Sequence, residues 1–396
     1  MRAEEQMSDQ DEKTIFSAFS SSPPVEDEDP RETAGWLDAL AEVIEREGAE
    51  RARYLLSCIR RHALSRALAS GCPETESVVV GLSRPYCVLG SVIRSNEELI
   101  ANFPGRTAEE IFQRTGIKSR RWAAPEETPL TMAIEAAKKA LAGELMGIGQ
   151  IDAIICATTT PICVTPSLAC LVHHRMADGA SPRPIPCYDL FAACSGYLYA
   201  LRAAYDYIRC RPRTNVLVVT AEVLSRRIDP KDFDTAVLFG DAATATVVYG
   251  PHCRDKMALV MHRPVACAKG DDGSALCVPL PDDGPITMDG RRISFSAVRC
   301  MASVLQQACA EAGIAVESLD LIIPHQANGR ITRTLRAALD CPEEKMLDCI
   351  RDIGNAGSSG LPFAMSLLDA QARYRRIGVC TFGGGLTYGA AILESG

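Results

Sequence analysis

The segment CYDLFAACSGYLYALRAAYDYI, residues 187–208, contains a cysteine at the point where an apolar run gives way to an amphipathic helix. Cys194 lies between two alanines and a Ser-Gly pair, so its small neighbours leave space for an incoming thioester. A thiol in the first turn of a helix faces backbone N–H groups and the positive end of the helix dipole, which favour the thiolate. Cys194 is therefore a candidate nucleophile. The alternative is one more buried cysteine of the core, which is what most buried cysteines are.

Three later segments place polar or glycine residues beside apolar runs. IIPHQANGR carries His325 and Asn328, RDIGNAGSSG carries Asn355 in a loop rich in glycine and serine, and TFGGGLTYG has three consecutive glycines. Each segment alone is a weak signal, since Asn-Ala-Gly commonly makes a turn. Together with the cysteine they supply what acyl transfer to sulfur requires: a nucleophile, side chains that polarise a carbonyl, and backbone N–H donors for an oxyanion.

Aliphatic runs alternate with helical stretches from residue 78 onward, which predicts a layered α/β body with buried sheets. A proline-rich, acidic insertion around 271–286 separates two cycles of this pattern. We therefore expect two similar halves, residues 81–250 with the candidate cysteine and residues 251–396 with the histidine and asparagine. The runs expected to form strands are VVVGLS, IDAIICATTT, PCYDLF, NVLVVTAEV, TAVLFGDAATATVVYG, LDLIIPHQA, IGVCTFGGG and GAAIL.

The front of the chain has a different character. Residues 1–25 are polar and predict a flexible arm, residues 26–70 predict two helices, and residues 71–80 predict a linker. Pro30 suits the first position of the first helix, and Gly48 suits a left-handed stop. This helix is strongly acidic and carries an apolar stripe, so we expect it to need a partner surface.

Composition narrows the class of protein. With 396 residues, 47% of them hydrophobic and 23% charged, the chain predicts a globular protein with a large core. A net charge of −8 argues against nucleic-acid binding, because phosphate backbones select basic surfaces. The 17 cysteines include no CxxC pair, so we expect reduced core cysteines and no metal site. No signal peptide or membrane-spanning run is visible, so we expect a cytoplasmic protein without a membrane partner.

From about residue 80 to its end, the chain resembles beta-ketoacyl-acyl-carrier-protein synthase III, an initiating condensing enzyme of fatty acid synthesis with the thiolase fold. Six motifs occur in the family's order: RTGIKSRRWAAPEET, AACSGY, FGDAATA, HQANGR, GNAGSSG and FGGGLTYG. The resemblance implies an α/β body of five layers, αβαβα, built from two similar halves and preceded by the short helical segment. It also implies a homodimer whose acyl pockets are completed across a twofold interface.

The resemblance assigns roles to the candidate residues. Cys194 would take a starter acyl group, and His325 and Asn355 would hold the carbonyl oxygen of a malonyl thioester while it loses carbon dioxide. The enolate would then attack the acyl-cysteine to give a beta-ketoacyl thioester for fatty acid or polyketide synthesis. The oxyanion hole would use the backbone N–H groups of Cys194 and of Gly384 or Gly385. No metal or redox cofactor is implied.

The expected carrier site departs from the family. The resemblance places a tryptophan that stacks on the adenine of coenzyme A at the position of Glu110. A carboxylate cannot stack and repels phosphates, so we expect the acyl group on coenzyme A in another pose or on acyl carrier protein. Arg226, Asn328 and Arg330 are candidates for binding the carrier or its phosphopantetheine, with a solvated arginine as the alternative for Arg330. Thr165 stands where an aromatic residue often closes the acyl pocket, which favours a longer acyl group.

Residues 27 to about 60 resemble the amino-terminal segment of the homodimeric, thiamine-dependent pyruvate dehydrogenase component. That segment docks on the subunit-binding domain of dihydrolipoyl acetyltransferase, and its acidic positions match Asp29, Glu32 and Glu47. The alternative is an inert extension that covers the body or helps dimerisation. Docking and Glu110 together suggest that the enzyme takes acetyl from dihydrolipoamide, with tethering raising the local carrier concentration to about the millimolar range.

Two other functions remain open. A member of the family could move an acyl group onto a hydroxyl or amine of a secondary metabolite without condensation. The chain could also be an inactive scaffold held by a 2-oxo acid dehydrogenase complex, although the complete set of Cys194, His325 and Asn355 argues against it. Release of carbon dioxide from a malonyl carrier distinguishes condensation from both alternatives.

Overall fold

The front of the chain contributes one long helix to the computed structural model, which describes residues 30–49, 51–52, 55, 78–177, 183–280, 283–368 and 374–395. Helix α1 spans Pro30–Glu47 and Gly48 follows with a φ of 85°, so both predicted ends are confirmed. Leu37 and Ile44, two residues of the predicted apolar stripe, are 55% and 46% exposed. The first 29 residues and most of the predicted second helix lie outside the described residues.

The body, Val78–Gly396, is a separate unit built on an 11-stranded sheet. Its main path runs, in hydrogen-bonded order, β13 (Leu321–Pro324), β14 (Arg376–Gly383), β15 (Thr387–Ser395), β9 (Leu259–Met261), β1 (Gly81–Leu82), β8 (Asp241–Tyr249), β7 (Asn215–Val223), β5 (Ala153–Ala157) and β6 (Cys187–Leu190). Beside this path, β2 (Tyr86–Leu89) pairs with β8 and β10 (Val265–Ala268) pairs with β15. Two small ribbons pair β3 (Val92–Ser95) with β4 (Ser119–Trp122) and β11 (Leu276–Cys277) with β12 (Thr287–Met288).

The two halves repeat one pattern of strand pairing. In the first half β5 is parallel to β7, and β7 is antiparallel to β8. In the second half β13 is parallel to β14, and β14 is antiparallel to β15. The short strands β1 and β9 join the halves edge to edge through antiparallel pairing. The expected pair of similar halves is therefore confirmed.

Helices form two outer layers and one central layer, and the central layer packs between the strands of the first half and those of the second half. The outer layer of the first half contains α4 (Pro129–Gly143) and α5 (Leu168–Met176), and the outer layer of the second half contains α8 (Gly290–Glu311) and α9 (Gly329–Ala338). The central layer contains α6 (Gly196–Cys210) and α10 (Gly360–Ser366), which pack with strands of both halves. The short helices α2 (Asn96–Leu99), α3 (Ala108–Thr115) and α7 (Phe233–Ala236) lie in connections. The expected αβαβα thiolase fold is confirmed.

Burial explains why each layer has its own sequence pattern. All nine residues of β7 are buried, as expected for a strand covered by helices on both faces. The outer helix α8 instead buries one stripe, including Ile293, Ala297 and Met301, at the four-residue spacing of a helix face. One strand prediction is wrong: the run TAVLFGDAATATVVYG begins in α7 and becomes a strand only at Asp241. Gly240 separates the two parts, and an added Cβ there would lie 2.0 Å from the carbonyl oxygen of Ile353.

The described residues also bear on membranes and metals. Within the described parts of the chain, no helix combines the length and hydrophobicity that crossing a membrane requires. Across the same residues, His, Cys, Asp and Glu side chains form no group that could hold a metal ion.

Candidate active site

Cys194 sits in a tight turn between β6 and α6. Residues Ala193–Ser195 form a single 3₁₀ turn, and Ala193 has a φ of 47°, a backbone conformation that L-residues seldom adopt. Two hydrogen bonds to β15 hold the turn: the Ser195 hydroxyl donates to the carbonyl of Thr387 at 3.0 Å, and the Thr387 hydroxyl donates to the carbonyl of Ala192 at 2.8 Å. The second half thus fixes the cysteine of the first half.

Gly383, the last residue of β14, lies against this turn. A Cβ on Gly383 would lie 2.7 Å from the backbone nitrogen of Cys194 and 3.2 Å from that of Ser195. Only glycine allows the two segments to approach so closely. Of the two glycines predicted for the oxyanion hole, Gly384 is buried against Leu276, and Gly385 is exposed with a φ of 126°.

His325 and Asn355 follow the strands and loops that the sequence indicated. His325 comes directly after β13 and is 3% exposed, and its Nδ1 atom has no hydrogen-bond partner among the residues that the structure describes. Asn355 is 7% exposed, and its Oδ1 atom accepts the backbone N–H of Gly357 at 3.0 Å. Its backbone bonds to Leu238 and Gly240 of the first half. With Oδ1 occupied, the NH₂ group of Asn355 can donate to a ligand.

One cavity of about 860 Å³ brings the reactive residues together. Cys194, His325 and Asn355 line it, as do Asn328 and Arg330. Asn328 caps α9, its Oδ1 accepting the backbone N–H of Arg330 at 2.8 Å, and Arg330 is exposed. The apolar side chains on the remaining walls include Phe239, Met288, Ile293, Ala297, Met301, Ile331 and Phe382, and the charged ones include Arg114, Asp234, Asp289 and Arg291.

Four residues predicted for the site do not line this cavity: Gly384, Gly385, Arg226 and Thr165. The Arg226 guanidinium donates to the carbonyls of residues 124, 125 and 127, at 2.7, 3.2 and 2.8 Å. Thr165 is exposed in the loop between β5 and α5. Arg226 therefore holds a neighbouring loop, and Thr165 lies on the surface of the protomer.

Burial sets the protonation states in the cavity. Desolvation raises the pKa of Cys194 to about 12, and the ionised Glu222 carboxylate contributes to the same shift as the second largest cause. The backbone N–H of Cys194 itself opposes the shift. The expectation that the helix start yields a thiolate is therefore not met, because burial disfavours the charged form of the thiol. Desolvation also lowers the pKa of His325 to about 4. At neutral pH the site holds a thiol and a neutral imidazole.

The exposed end of the cavity carries a charged cluster that the sequence analysis only partly identified. We call Arg106, Glu110, Arg114, Phe233 and Asp234 the outer cluster. Glu110 pairs with both Arg106 and Arg114, and Arg114 also pairs with Asp234 at 3.0 Å. Both guanidinium groups lie over the Phe233 ring, 4.6 and 5.2 Å from its centroid. The four-residue spacing of the arginines around Glu110 was a signal for the ion pairs.

A second feature was missed altogether. Glu222 is the one charged residue in the apolar strand β7, and it is only 1% exposed. The break in an otherwise apolar run was the available signal, since buried carboxylates are rare unless they are paired.

The docking residues predicted at the front are only partly visible. Asp29 lies outside the described residues, and Glu32 lies in α1 without a described side chain. Glu47 is exposed at the end of α1 and forms an ion pair with Arg51 at 3.3 Å.

Family models match both the body and the front. Residues 188–262 match 3-oxoacyl-(acyl-carrier-protein) synthase III, and residues 309–395 match the C-terminal part of that family. Residues 29–70 match the N-terminal domain of the pyruvate dehydrogenase E1 component.

Whole-chain comparisons agree with the match to the body. The beta-ketoacyl-(acyl-carrier-protein) synthase III of Oleidesulfovibrio alaskensis is 36% identical over 329 residues, which are 78% of this chain and 98% of the relative. The crystal structure of 3-oxoacyl-(acyl-carrier-protein) synthase III from Aquifex aeolicus has a TM-score of 0.72 and 36% identity, covering 80% of this chain and 99% of that one. The priming beta-ketosynthase of the R1128 polyketide pathway has a TM-score of 0.71 and 30% identity, covering 80% and 96%. The chain therefore belongs to the beta-ketoacyl-acyl-carrier-protein synthase III family of thiolase-fold condensing enzymes, which are acyltransferases.

Proposed function

We propose that the chain loads a starter acyl group on Cys194 and condenses it with a malonyl thioester, using His325 and Asn355 for the decarboxylation. The observation that carries the proposal is that these three side chains, from three separate segments, line a single cavity. Sulfur, imidazole and carboxamide are the groups that the two chemical steps need.

In the first step the Cys194 sulfur attacks the carbonyl carbon of the starter thioester. The bond from that carbon to the carrier sulfur breaks, and the carrier leaves as a thiol with the proton of Cys194. Because the thiol is protonated at neutral pH, this proton needs an acceptor during the attack, and the neutral imidazole of His325 is suited to relay it. Our candidates for holding the oxyanion are the backbone N–H of Cys194 and that of Gly384, which directly follows the cavity-lining Gly383 in the chain.

In the second step the malonyl thioester loses its carboxyl group as carbon dioxide. The electron pair of the broken carbon–carbon bond forms an enolate, whose oxygen would accept hydrogen bonds from His325 and the NH₂ group of Asn355. The enolate carbon then attacks the acyl-cysteine, the bond to Cys194 sulfur breaks, and the departing thiolate takes up one proton from solvent, which the condensation consumes overall. A neutral histidine suits this step, because it donates a hydrogen bond without giving up a proton to the enolate carbon.

The outer cluster favours a protein-borne carrier over coenzyme A. Guanidinium groups lie over the Phe233 ring, and Phe103 packs edge-on against it with centroids 5.1 Å apart. The ring is thus already covered by protein groups, and Glu110 and Asp234 offset the charge of the two arginines that could otherwise bind the phosphates of a nucleotide. We infer that phosphopantetheine attached to a carrier protein enters here, with Asn328 and Arg330 at the same cavity.

The front segment supports a specific acetyl donor. It matches the N-terminal domain of pyruvate dehydrogenase E1, and the exposed Leu37, Ile44 and Glu47 of α1 offer an apolar and acidic surface. We propose that this surface docks on the basic subunit-binding domain of a dihydrolipoyl acetyltransferase, with charge mainly steering the encounter. The docked enzyme would then take acetyl from the dihydrolipoamide of that acetyltransferase and transfer it to Cys194.

Intact mass tests both proposals. The protein is incubated separately with acetyl-coenzyme A, acetyl carrier protein and an acetylated lipoyl domain, and each reaction is repeated with Cys194→Ala. We expect an acetyl mass from the carrier protein or the lipoyl domain that is absent in the variant, followed by carbon dioxide release with malonyl carrier. Labelling by acetyl-coenzyme A alone contradicts the lipoyl route, and labelling without carbon dioxide release contradicts condensation.

We also propose a homodimer formed along β6. This strand ends the main sheet path, so among the described residues one of its edges pairs with no other strand. Four exposed apolar side chains lie on it or in the neighbouring loop: Ile162, Val164, Tyr188 and Phe191. Exposed edges and apolar patches of this kind commonly mark interfaces. Thr165 belongs to the same loop, which supports its predicted place in the partner's acyl pocket.

A further inference from the structure

Glu222 is a buried carboxyl group that the proposed chemistry does not use. It lies near the end of β7, is 1% exposed, and is not among the residues lining the cavity. Its hydrogen-bond donors are uncharged: Thr159 donates from its backbone N–H at 3.0 Å and from its hydroxyl at 2.6 Å, and the Ser358 hydroxyl donates at 2.7 Å. Burying a carboxyl group without a cation is costly, so this arrangement needs an explanation.

The partners of Glu222 belong to the two halves of the enzyme. Thr159 follows β5 in the first half, whereas Ser358 belongs to the segment Gly354–Ser359, which we call the asparagine loop because it carries Asn355. Within this loop the N–H of Gly357, adjacent to Ser358, binds the Asn355 side chain. A short chain of contacts therefore runs from Glu222 through Ser358 and Gly357 to the carboxamide of Asn355.

The asparagine loop is shaped around the carboxyl group. Gly357 has a φ of 57°, and a Cβ at this position would lie 3.2 Å from Cγ of Glu222. The next residue but one, Ser359, is tied to the same strand through Thr220, hydroxyl to hydroxyl at 2.8 Å. Ser358 also packs on the first turn of α6, since a Cβ on Gly196 would lie 3.2 Å from its Cβ. The loop thus lies between Glu222 and the turn of Cys194.

The contacts from Glu222 to Ser358 and from Ser358 to the first turn of α6 also bring the carboxyl group near Cys194, where its charge can affect the thiol. Burial raises the pKa of Glu222 to about 7, against the opposing effect of its hydrogen bonds, so its charge changes near neutral pH. When ionised, the carboxylate raises the pKa of Cys194, second only to burial. His325, which lines the same cavity as Cys194, has its pKa lowered to about 4 by burial and therefore stays neutral in this range.

We propose that Glu222 is a positioning residue that holds the asparagine loop against the cysteine-bearing half and sets the electrostatic environment of Cys194. It does so without touching substrate. The mechanical part of this inference rests on the proposed function, because it concerns the decarboxylation assigned to Asn355. The electrostatic part concerns the thiol alone and stands independently of catalysis.

Two substitutions separate the two parts. Glu222→Gln keeps an acceptor for Thr159 and can donate from its NH₂ group to the Ser358 hydroxyl, but removes the charge. Glu222→Ala removes both the charge and the hydrogen bonds. We expect Glu222→Ala to lower kcat for carbon dioxide release by about 100-fold with KM within about threefold, the effect of a misplaced catalytic group. Glu222→Gln is expected to restore kcat to within about tenfold of the wild-type value.

The electrostatic part is read from alkylation of Cys194 by iodoacetamide, followed on the peptide that contains it. Below pH 7 Glu222 is protonated, so wild type and Glu222→Gln should react at the same rate. Above pH 7 the wild-type carboxylate ionises and disfavours the thiolate, so Glu222→Gln should react at least about threefold faster, a pKa difference of about half a unit. The matched control is Asp241→Asn, another carboxyl group that is 1% exposed and bonds to Ser225 and Ala123 instead. Its profile should follow wild type.

Each outcome decides one part of the proposal. A folded Glu222→Ala variant with wild-type kcat overturns the positioning role, and superimposed alkylation profiles for Glu222→Gln and wild type overturn the electrostatic role. If Glu222→Ala does not fold, Ser358→Ala removes the link to the asparagine loop alone, and its kcat decides in the same way. A wild-type enzyme that loads no acyl group and releases no carbon dioxide contradicts the proposed function, while the alkylation profiles still test Glu222.

Discussion

Replacing Gly383 with alanine adds one methyl group at the contact between β14 and the Cys194 turn. The new Cβ would lie 2.7 Å from the backbone nitrogen of Cys194 and 3.1 Å from Cβ of Ala193. Ordinary contacts between carbon atoms are about 3.5–4.0 Å, so the two segments must separate by roughly 1 Å. A displacement of that size at reacting groups costs about 100-fold in rate, and overpacking of this kind costs about 1–3 kcal/mol of stability.

The assay is the initial rate at which Cys194 gains an acyl mass, measured with the melting temperature of the same preparation. Gly290→Ala is the matched control, because Gly290 also lines the cavity but its added Cβ would meet only the Cε atom of Met288, at 3.9 Å. We expect Gly383→Ala to load at least about 100-fold more slowly and Gly290→Ala to load at the wild-type rate. A folded Gly383→Ala variant that loads within about threefold of wild type would refute the reasoning.

Three further predictions follow from the same geometry. Because the raised pKa of Cys194 keeps the thiol protonated, its alkylation rate should increase about tenfold per pH unit from pH 7 to pH 10, and a plateau below pH 9 would contradict this. Asn355→Asp keeps the acceptor for the Gly357 N–H but loses the NH₂ donor. Carbon dioxide release should therefore decrease about 100-fold or more, while acyl loading of Cys194 persists. Undiminished release of carbon dioxide contradicts the role of the carboxamide. Phe191 lies in the exposed apolar patch at β6, so Phe191→Lys should give monomers in light scattering where the wild-type protein gives dimers. Leu145 is an exposed apolar residue elsewhere, and Leu145→Lys should stay dimeric. A monomeric wild-type protein contradicts the interface.

Local sequence patterns were sufficient for much of the framework. Pro30 and Gly48 bound α1 as expected, because a missing N–H at the first position and a positive φ at the stop are properties of those residues alone. The buried strand β7 could be predicted from its apolar run. The strand prediction failed for the run just before β8. TAVLF has the composition of a strand but folds as a helix and turn, because the chain passes close to Ile353 here. That close approach is a contact between distant residues.

In the candidate site, too, some features follow from local sequence and others from contacts between distant residues. The residue types and motif order around Cys194, His325 and Asn355 were enough to predict a shared site, because the family resemblance is carried by those segments. The position of Arg226 in the sequence predicted that it binds the carrier. In the structure its guanidinium instead donates hydrogen bonds to three carbonyl groups of a nearby loop. Phe233 gave no signal of its own, since its importance comes from arginines more than 100 residues earlier in the chain.

The sequence by itself determined the family, the alternation of strands and helices, and the chemical types of the reactive groups, since these depend on residue identity and near neighbours. Only the tertiary structure decided that the thiol of Cys194 is protonated, that His325 is neutral, and that Glu222 joins the two halves beside them. The physical reason is that desolvation is a property of the packed interior. It depends on which distant segments exclude water from a group, and no spacing along the chain records that.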